Sequence, residues 1–239
     1  MAGTVETWSG EHIAALVCTV AVAALLVAGA RRRGDTWAVP IGRGLAAVIL
    51  SSYLCEHLTY ALRGEWTAQV NLPLHLTDVV TLVSIAALWR PQCALLVELV
   101  YFWALSASLQ AVLTPDLGHG FPDMLFFTYF VTHSGAVAAA CLLVFGSRRT
   151  PRPGSVWRTF AITLAVALAA AVATVVTGGN YMFLRRKPTH GSLLDLMGPW
   201  PVYILAAAAL GLLIFLALAA WARRVTPRSL SSTIRRHAV

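Results

Sequence analysis

A histidine and an aspartate three residues apart, in the run Asn71-Leu72-Pro73-Leu74-His75-Leu76-Thr77-Asp78, stand at the start of an otherwise apolar stretch. On a helix, residues at this spacing are neighbours. A carboxylate that accepts from an imidazole fixes its tautomer and raises its basicity, as a general base requires. The same pair, buried between helices, would serve equally well to pin one helix to the next. Thr77 points about 200° away from His75 around a helix, so the two cannot form a local nucleophile–base pair. Thr77 lines up instead with Thr81 and Ser84, a hydroxyl stripe of the kind that seams helices together or bonds back to carbonyls. A nucleophilic Thr77 therefore needs its base from another helix, and His133 is the leading candidate.

His133 sits in a polar, narrow patch with Thr132, Ser134 and Gly135. Glu56 and His57 could serve in its place, and Cys55 beside them is an alternative nucleophile, although an unperturbed buried thiol is inert. The side-chain amides of Gln110 and Asn180 are the groups available to stabilise an oxyanion. His57, His75 and His133 with Glu56 and Asp78 have the ligand types of a zinc or iron site. No HExxH or other paired spacing accompanies them, and no metal or cofactor is assigned. Cys18, Cys55, Cys93 and Cys141 lie in or beside apolar segments without metal-ligand spacing, and no disulfide framework is expected.

The elements that must hold these residues are legible from composition. Of 239 residues, 58% are hydrophobic and only 12% charged, about half the charge of a soluble domain. Apolar runs near membrane-spanning length recur along the chain. The expected fold is an all-α polytopic membrane bundle of seven transmembrane helices, near residues 12–30, 41–62, 72–90, 92–114, 124–146, 157–178 and 200–222. The first run follows acidic residues rather than a basic region, so it reads as a retained helix and not a signal peptide. Residues 1–222 form one transmembrane domain, and 223–239 form a basic tail suited to anionic inner-leaflet lipid. Placing the N-terminus outside and the C-terminus in the cytoplasm puts 14 of the 18 Lys and Arg residues inside, as the positive-inside bias demands.

That orientation gathers Glu56, His57, His75, Thr77, Asp78, Gln110 and His133 in the outer half of the bundle. Glu98 stands apart near the inner end of its span, the one hint of a path to the second face. Arg185, Arg186 and Lys187 break the charge bias by lying outside, where a basic cluster can hold a phosphate or carboxylate. Asn180 and Tyr181 beside it, with Glu56, His57 and Gln110, are the further expected substrate-binding residues. A nucleic-acid partner is not expected, because no aromatic–basic surface accompanies the arginines.

Several runs together resemble the YwaF-like bacterial integral membrane proteins, whose eukaryotic relatives are the transmembrane protein 164 lipid acyltransferases. They include Leu72 to Asp78, Glu98-Leu99, Tyr101-Phe102-Trp103, Leu109-Gln110-Ala111 and Leu113 to Asp116. Thr132-His133, Arg152 to Trp157, Asn180-Tyr181-Met182, Lys187-Pro188 and Gly198 to Pro201 extend the likeness, which covers about Cys55 to Tyr203. The resemblance implies a seven-helix fold and acyl transfer between phospholipids through a cysteine at the third position of a His-Leu-Cys-Asp run. Thr77 occupies that position here. It implies one of three outcomes: Thr77 is an oxygen nucleophile, His75 and Asp78 deprotonate an acceptor without a covalent intermediate, or the protein binds lipid without turning it over. The implied partners are membrane lipids, with a phospholipid as substrate, and the implied location is the bacterial plasma membrane. A binding protein or transporter remains the alternative to an enzyme.

Overall fold

The computed structural model describes residues 5–188 and 192–225; the expected basic tail lies outside them beyond Val225. The described residues form helices α1 (Gly10–Arg33), α2 (Asp35–Leu62), α3 (Leu76–Trp89), α4 (Ala94–Leu113), α5 (Met124–Gly146), α6 (Ser155–Thr177) and α7 (Val202–Val225). Six of these are long and apolar enough to cross a membrane. The exception is α3, at 14 residues or about 21 Å, short of the roughly 30 Å hydrocarbon core. Pro73 and the capping turn at His75 delay its start. The Arg90-Pro91 step ends it, because a residue before proline is pushed out of helical conformation. Conversely, α2 begins six residues ahead of the expected position 41. Gly34, at φ +69°, turns the chain directly out of α1, and Asp35 complements the positive end of the new helix.

α5 is the hub. It packs against α1, α2, α3 and α4, and 78% of its most apolar stretch is buried, against 17% for α1, α6 and α7. Gly135 permits the close approach of α2, since a Cβ there would meet Ile49 Cγ1 at 2.6 Å. Three of the four largest fully buried side chains among the described residues, Trp103, Tyr101 and Phe102, project from α4. The Tyr101 hydroxyl donates to Leu218 O of α7 at 2.8 Å, and Trp103 Nε1 donates to Thr163 Oγ1 of α6 at 2.8 Å. These bonds satisfy the polar tips that would otherwise be stranded in a dry core.

One end of the bundle is rich in arginine. There Arg31 Nε donates to Phe145 O at 3.0 Å, and Arg149 pairs with Asp35 at 2.7 Å. Glu98, only 1% exposed, accepts from Arg152 Nε at 2.8 Å and from Arg158 Nη2 at 2.9 Å. It also takes the backbone N–H of Arg152 at 3.0 Å. The residue read as a hint of a second-side path is thus a fastener between α4 and α6. The opposite end carries the connections 63–75, 114–123 and 178–201 and holds the candidate site.

Candidate functional site

The connection from α2 to α3 is built to deliver His75. Asn71 folds it by accepting the Thr67 N–H at 2.9 Å, and Tyr181 clamps it from the far side of the chain. The Tyr181 hydroxyl donates to Ala68 O at 2.7 Å and accepts from Leu72 N at 3.1 Å, while its own N–H reaches Thr174 Oγ1 at 3.1 Å. Tyr181 is fully buried, so this expected substrate-binding residue forms a wall. His75 then caps α3, and Asp78 Oδ2 accepts its backbone N–H at 3.2 Å. The carboxylate therefore engages the main chain of His75, where the sequence suggested a bond to the imidazole.

The imidazole faces the 178–187 connection. Its Nδ1 accepts the Met182 N–H in a long bond of 3.4 Å, and the ring stands 5.3 Å from Tyr181 and 5.9 Å from Phe183. With Nδ1 accepting, a neutral His75 carries its proton on Nε2 and is a donor there. His133 is the converse case. The hydroxyl of Thr132 spends its single proton on Thr128 O at 2.9 Å or Tyr129 O at 3.0 Å. Thr132 Oγ1 also lies 3.2 Å from His133 Nδ1; with the Thr132 proton on either carbonyl, the imidazole donates from Nδ1 and carries its lone pair on Nε2. The His133 ring lies 4.2 Å from that of Tyr129, whose hydroxyl donates to Ala111 O at 2.9 Å.

Glu56 lies within electrostatic reach of Asp78, Tyr53 and Tyr129, which stand on α3, α2 and α5. His57 turns aside, accepting Trp66 Nε1 on Nδ1 at 3.2 Å and meeting Tyr53 edge-on at 4.6 Å. Thr77 is half-buried, and its carbonyl accepts the Thr81 hydroxyl at 2.9 Å, the back-bonding expected of the stripe. Among the described residues neither His75 nor His133 bonds the Thr77 hydroxyl. The four cysteines are free thiols. Among the described residues no three His, Cys, Asp or Glu side chains gather as a metal-ion site.

The remaining candidates are placed apart from this cluster. Gln110 is exposed and donates to Thr114 Oγ1 one turn on, at 2.7 Å. Asn180 is consumed by its own loop: Oδ1 accepts the N–H groups of Arg185 and Arg186 at 3.0 and 3.1 Å, and Nδ2 donates to Arg186 O at 2.9 Å. It shapes the basic connection instead of facing an oxyanion. Arg185 Nη1 donates to Gly178 O at 3.2 Å, Arg186 is exposed, and Lys187 Nζ lies 3.9 Å from Asp195 Oδ1. Sequence reasoning missed Tyr53, Tyr129 and Trp66, which as aromatic residues look like belt or core until their neighbours are known. It also missed His12, buried with Nδ1 accepting Trp8 N–H and Nε2 bonded to Val112 O, both at 2.9 Å.

At the rim, Asp123 caps α5 through the Leu125 N–H at 2.8 Å and takes two bonds of 3.0 Å from Arg63. Burial pushes its carboxyl up, but the bonds from Arg63 and Leu125 outweigh this and hold it below the ordinary carboxylate value. In comparisons with known proteins, the family model of the TMEM164 family matches residues 7–219. No curated protein and no solved structure matches the chain.

Proposed function

The chain belongs to the TMEM164 family, and on that premise we propose that it is a multi-pass, lipid-modifying enzyme of the bacterial plasma membrane. It transfers or hydrolyses phospholipid acyl chains at a polar site opening toward the outer leaflet. What supports this reading is the pairing of two half-buried imidazoles: with the Thr132 proton on a carbonyl, His133 presents a lone pair on Nε2, whereas His75, accepting on Nδ1, presents a proton on Nε2. Acyl transfer needs both, a base for the attacking hydroxyl and a donor for the carbonyl oxygen or leaving group. In the proposed step the Thr77 hydroxyl attacks the ester carbonyl and His133 takes its proton. The ester C–O bond breaks, and the departing alkoxide is protonated as the acyl-enzyme forms. Water or an acceptor hydroxyl then releases the acyl chain. Asp78 holds His75 in place through the cap, Glu56 tunes the local charge, and Arg185, Arg186 and Lys187 hold the phosphate.

A second reading, a lipid- or small-molecule-binding protein or transporter, is favoured by one observation: among the described residues neither His75 nor His133 bonds the Thr77 hydroxyl. Turnover of labelled phospholipids by the purified protein separates the two. Loss of turnover in Thr77→Ala and His133→Ala, with activity kept in Thr77→Cys, is the expected result. An inactive wild type that gains activity as Thr77→Cys would mean a pocket without its chemistry. Silence in every variant would sink the enzyme reading.

A further inference from the structure

The exposed face of α6 is not smooth. Near its end a groove of about 440 Å³ is lined by Ala171, Thr174, Val175, Leu184, Arg185 and Trp200. A second hollow of about 300 Å³, entirely apolar, continues from Ala171 and Val175 to Val172 and Val176. The first alone falls within the roughly 300–1,000 Å³ of sites that hold small organic ligands. Its two ends differ in chemistry. The helix side is alkyl and opens sideways on a membrane-length helix, where acyl chains are the solvent. The other end carries a guanidinium and an indole, the pairing expected at headgroup level.

The cation is held in place. Arg185 Nη1 is tied to Gly178 O at 3.2 Å, leaving its other N–H groups for an incoming anion. Trp200 is fixed by its Nε1 bond to Leu184 O at 3.1 Å. Lys187 lies near Asp195 and over the Tyr203 ring, but among the described residues neither Arg185 nor Arg186 meets a carboxylate. The groove wall also leads inward. Thr174 Oγ1 accepts the Tyr181 N–H at 3.1 Å, and the Tyr181 ring stands 5.3 Å from that of His75.

We propose that this groove seats one acyl chain of a phospholipid whose phosphate lies on Arg185, one layer of side chains from His75. The inference rests on the enzymatic reading for the role of that lipid as substrate, but its seat is defined by binding alone. Apolar contact positions the chain along α6, and charge-assisted bonds to the phosphate fix its register.

The test is photolabelling of the full chain in nanodiscs with a phosphatidylglycerol carrying a diazirine in its acyl chain. Trypsin then releases the peptide Thr159 to Arg185, or Thr159 to Arg186 in the Arg185→Gln variant, on which the adducts are mapped by mass spectrometry. Adducts at Ala171, Thr174 and Val175 should exceed those at Val20 and Leu25 of α1, which are more exposed than Ala171 and Thr174 and line neither hollow. Arg185→Gln should reduce the groove adducts about tenfold, and Ala171→Trp should abolish them, with α1 labelling unchanged in both. A diazirine fatty alcohol, which lacks phosphate, should show no enrichment. Groove adducts no more frequent than those on α1, or unmoved by Arg185→Gln, would mean ordinary annular lipid and overturn the proposal. Enriched labelling in a protein without turnover would refute the enzyme and leave the seat standing. Turnover without enriched labelling would do the reverse.

Discussion

Gly179 is where the two connections that frame the site touch through their backbones. A Cβ placed there would collide with the main-chain oxygen of Gln69, with the Gln69 carbonyl carbon and Thr177 Oγ1 each only 3.1 Å away. No side chain can swing clear, so Gly179→Ala must part the segments by on the order of 1 Å. The bonds from the Tyr181 hydroxyl to Ala68 and Leu72 span the same gap. At about 0.5–1.5 kcal/mol for each bond, with an added penalty for polar groups left buried, the loss is about 2–4 kcal/mol. For a chain of this size that lowers Tm by about 4–16 °C. Tryptophan fluorescence during thermal unfolding in detergent reads the shift directly. Gly211→Ala is the internal control, because a Cβ there meets nothing within 4 Å and should raise stability by about 0.5–1 kcal/mol. Gln69→Ala should not rescue Gly179→Ala, since the obstruction is a carbonyl that every residue carries. A Gly179→Ala protein that melts with the wild type, or one rescued by Gln69→Ala, would refute the reasoning.

The same geometry predicts a different outcome at the α2–α5 crossing. Gly135→Ala should cost about 1–3 kcal/mol by overpacking, but in an Ile49→Ala background, itself destabilised by a core cavity, the same change should cost almost nothing, because there the obstruction is a side chain; thermal melts of the double-mutant cycle check both. Stability should also depend on pH through Asp123. Its carboxyl is depressed in the folded protein, so its contribution is complete above the ordinary carboxylate value near about pH 4 and is lost as pH falls through the lowered one. Asp123→Asn keeps a capping oxygen and should flatten the acid limb of a Tm-against-pH curve; an unchanged limb would assign the acid sensitivity elsewhere.

What could be read in advance follows the range of the interactions. The long helices announce themselves through hydropathy over contiguous residues, and the His75–Asp78 spacing falls on the first turn of α3. The expected bond from the imidazole to the carboxylate gave way to a backbone cap because two local signals overlap. A polar residue followed three positions later by an acid is also a helix-start pattern, and with Pro73 just ahead of it the cap won over the dyad. Tyr181 and Asn180 were picked out as ligand contacts, yet their partners are backbone groups, which carry no residue-type signal. The Tyr181 hydroxyl reaches across more than 100 positions to Ala68 and Leu72. The length of α3 was overstated because apolarity persists through Leu72 and Leu74, whereas Pro73 and the cap decide where the helix starts.

The Glu98 fastener also constrains how the protein is made. Its two arginines come 54 and 60 residues later in the chain, which at ribosomal rates of roughly 5–20 residues per second is a wait of about 3–12 s. During that interval α4 and α5 have emerged with a carboxylate that has no counter-ion, an expensive state within a bilayer. The nascent chain must therefore keep Glu98 at the interface, protonate it, or lean on the insertion machinery until the connection before α6 arrives. A chain truncated before Arg152 would carry that unpaired acid permanently, a mark by which membrane proteases could tell an unfinished copy from a finished one.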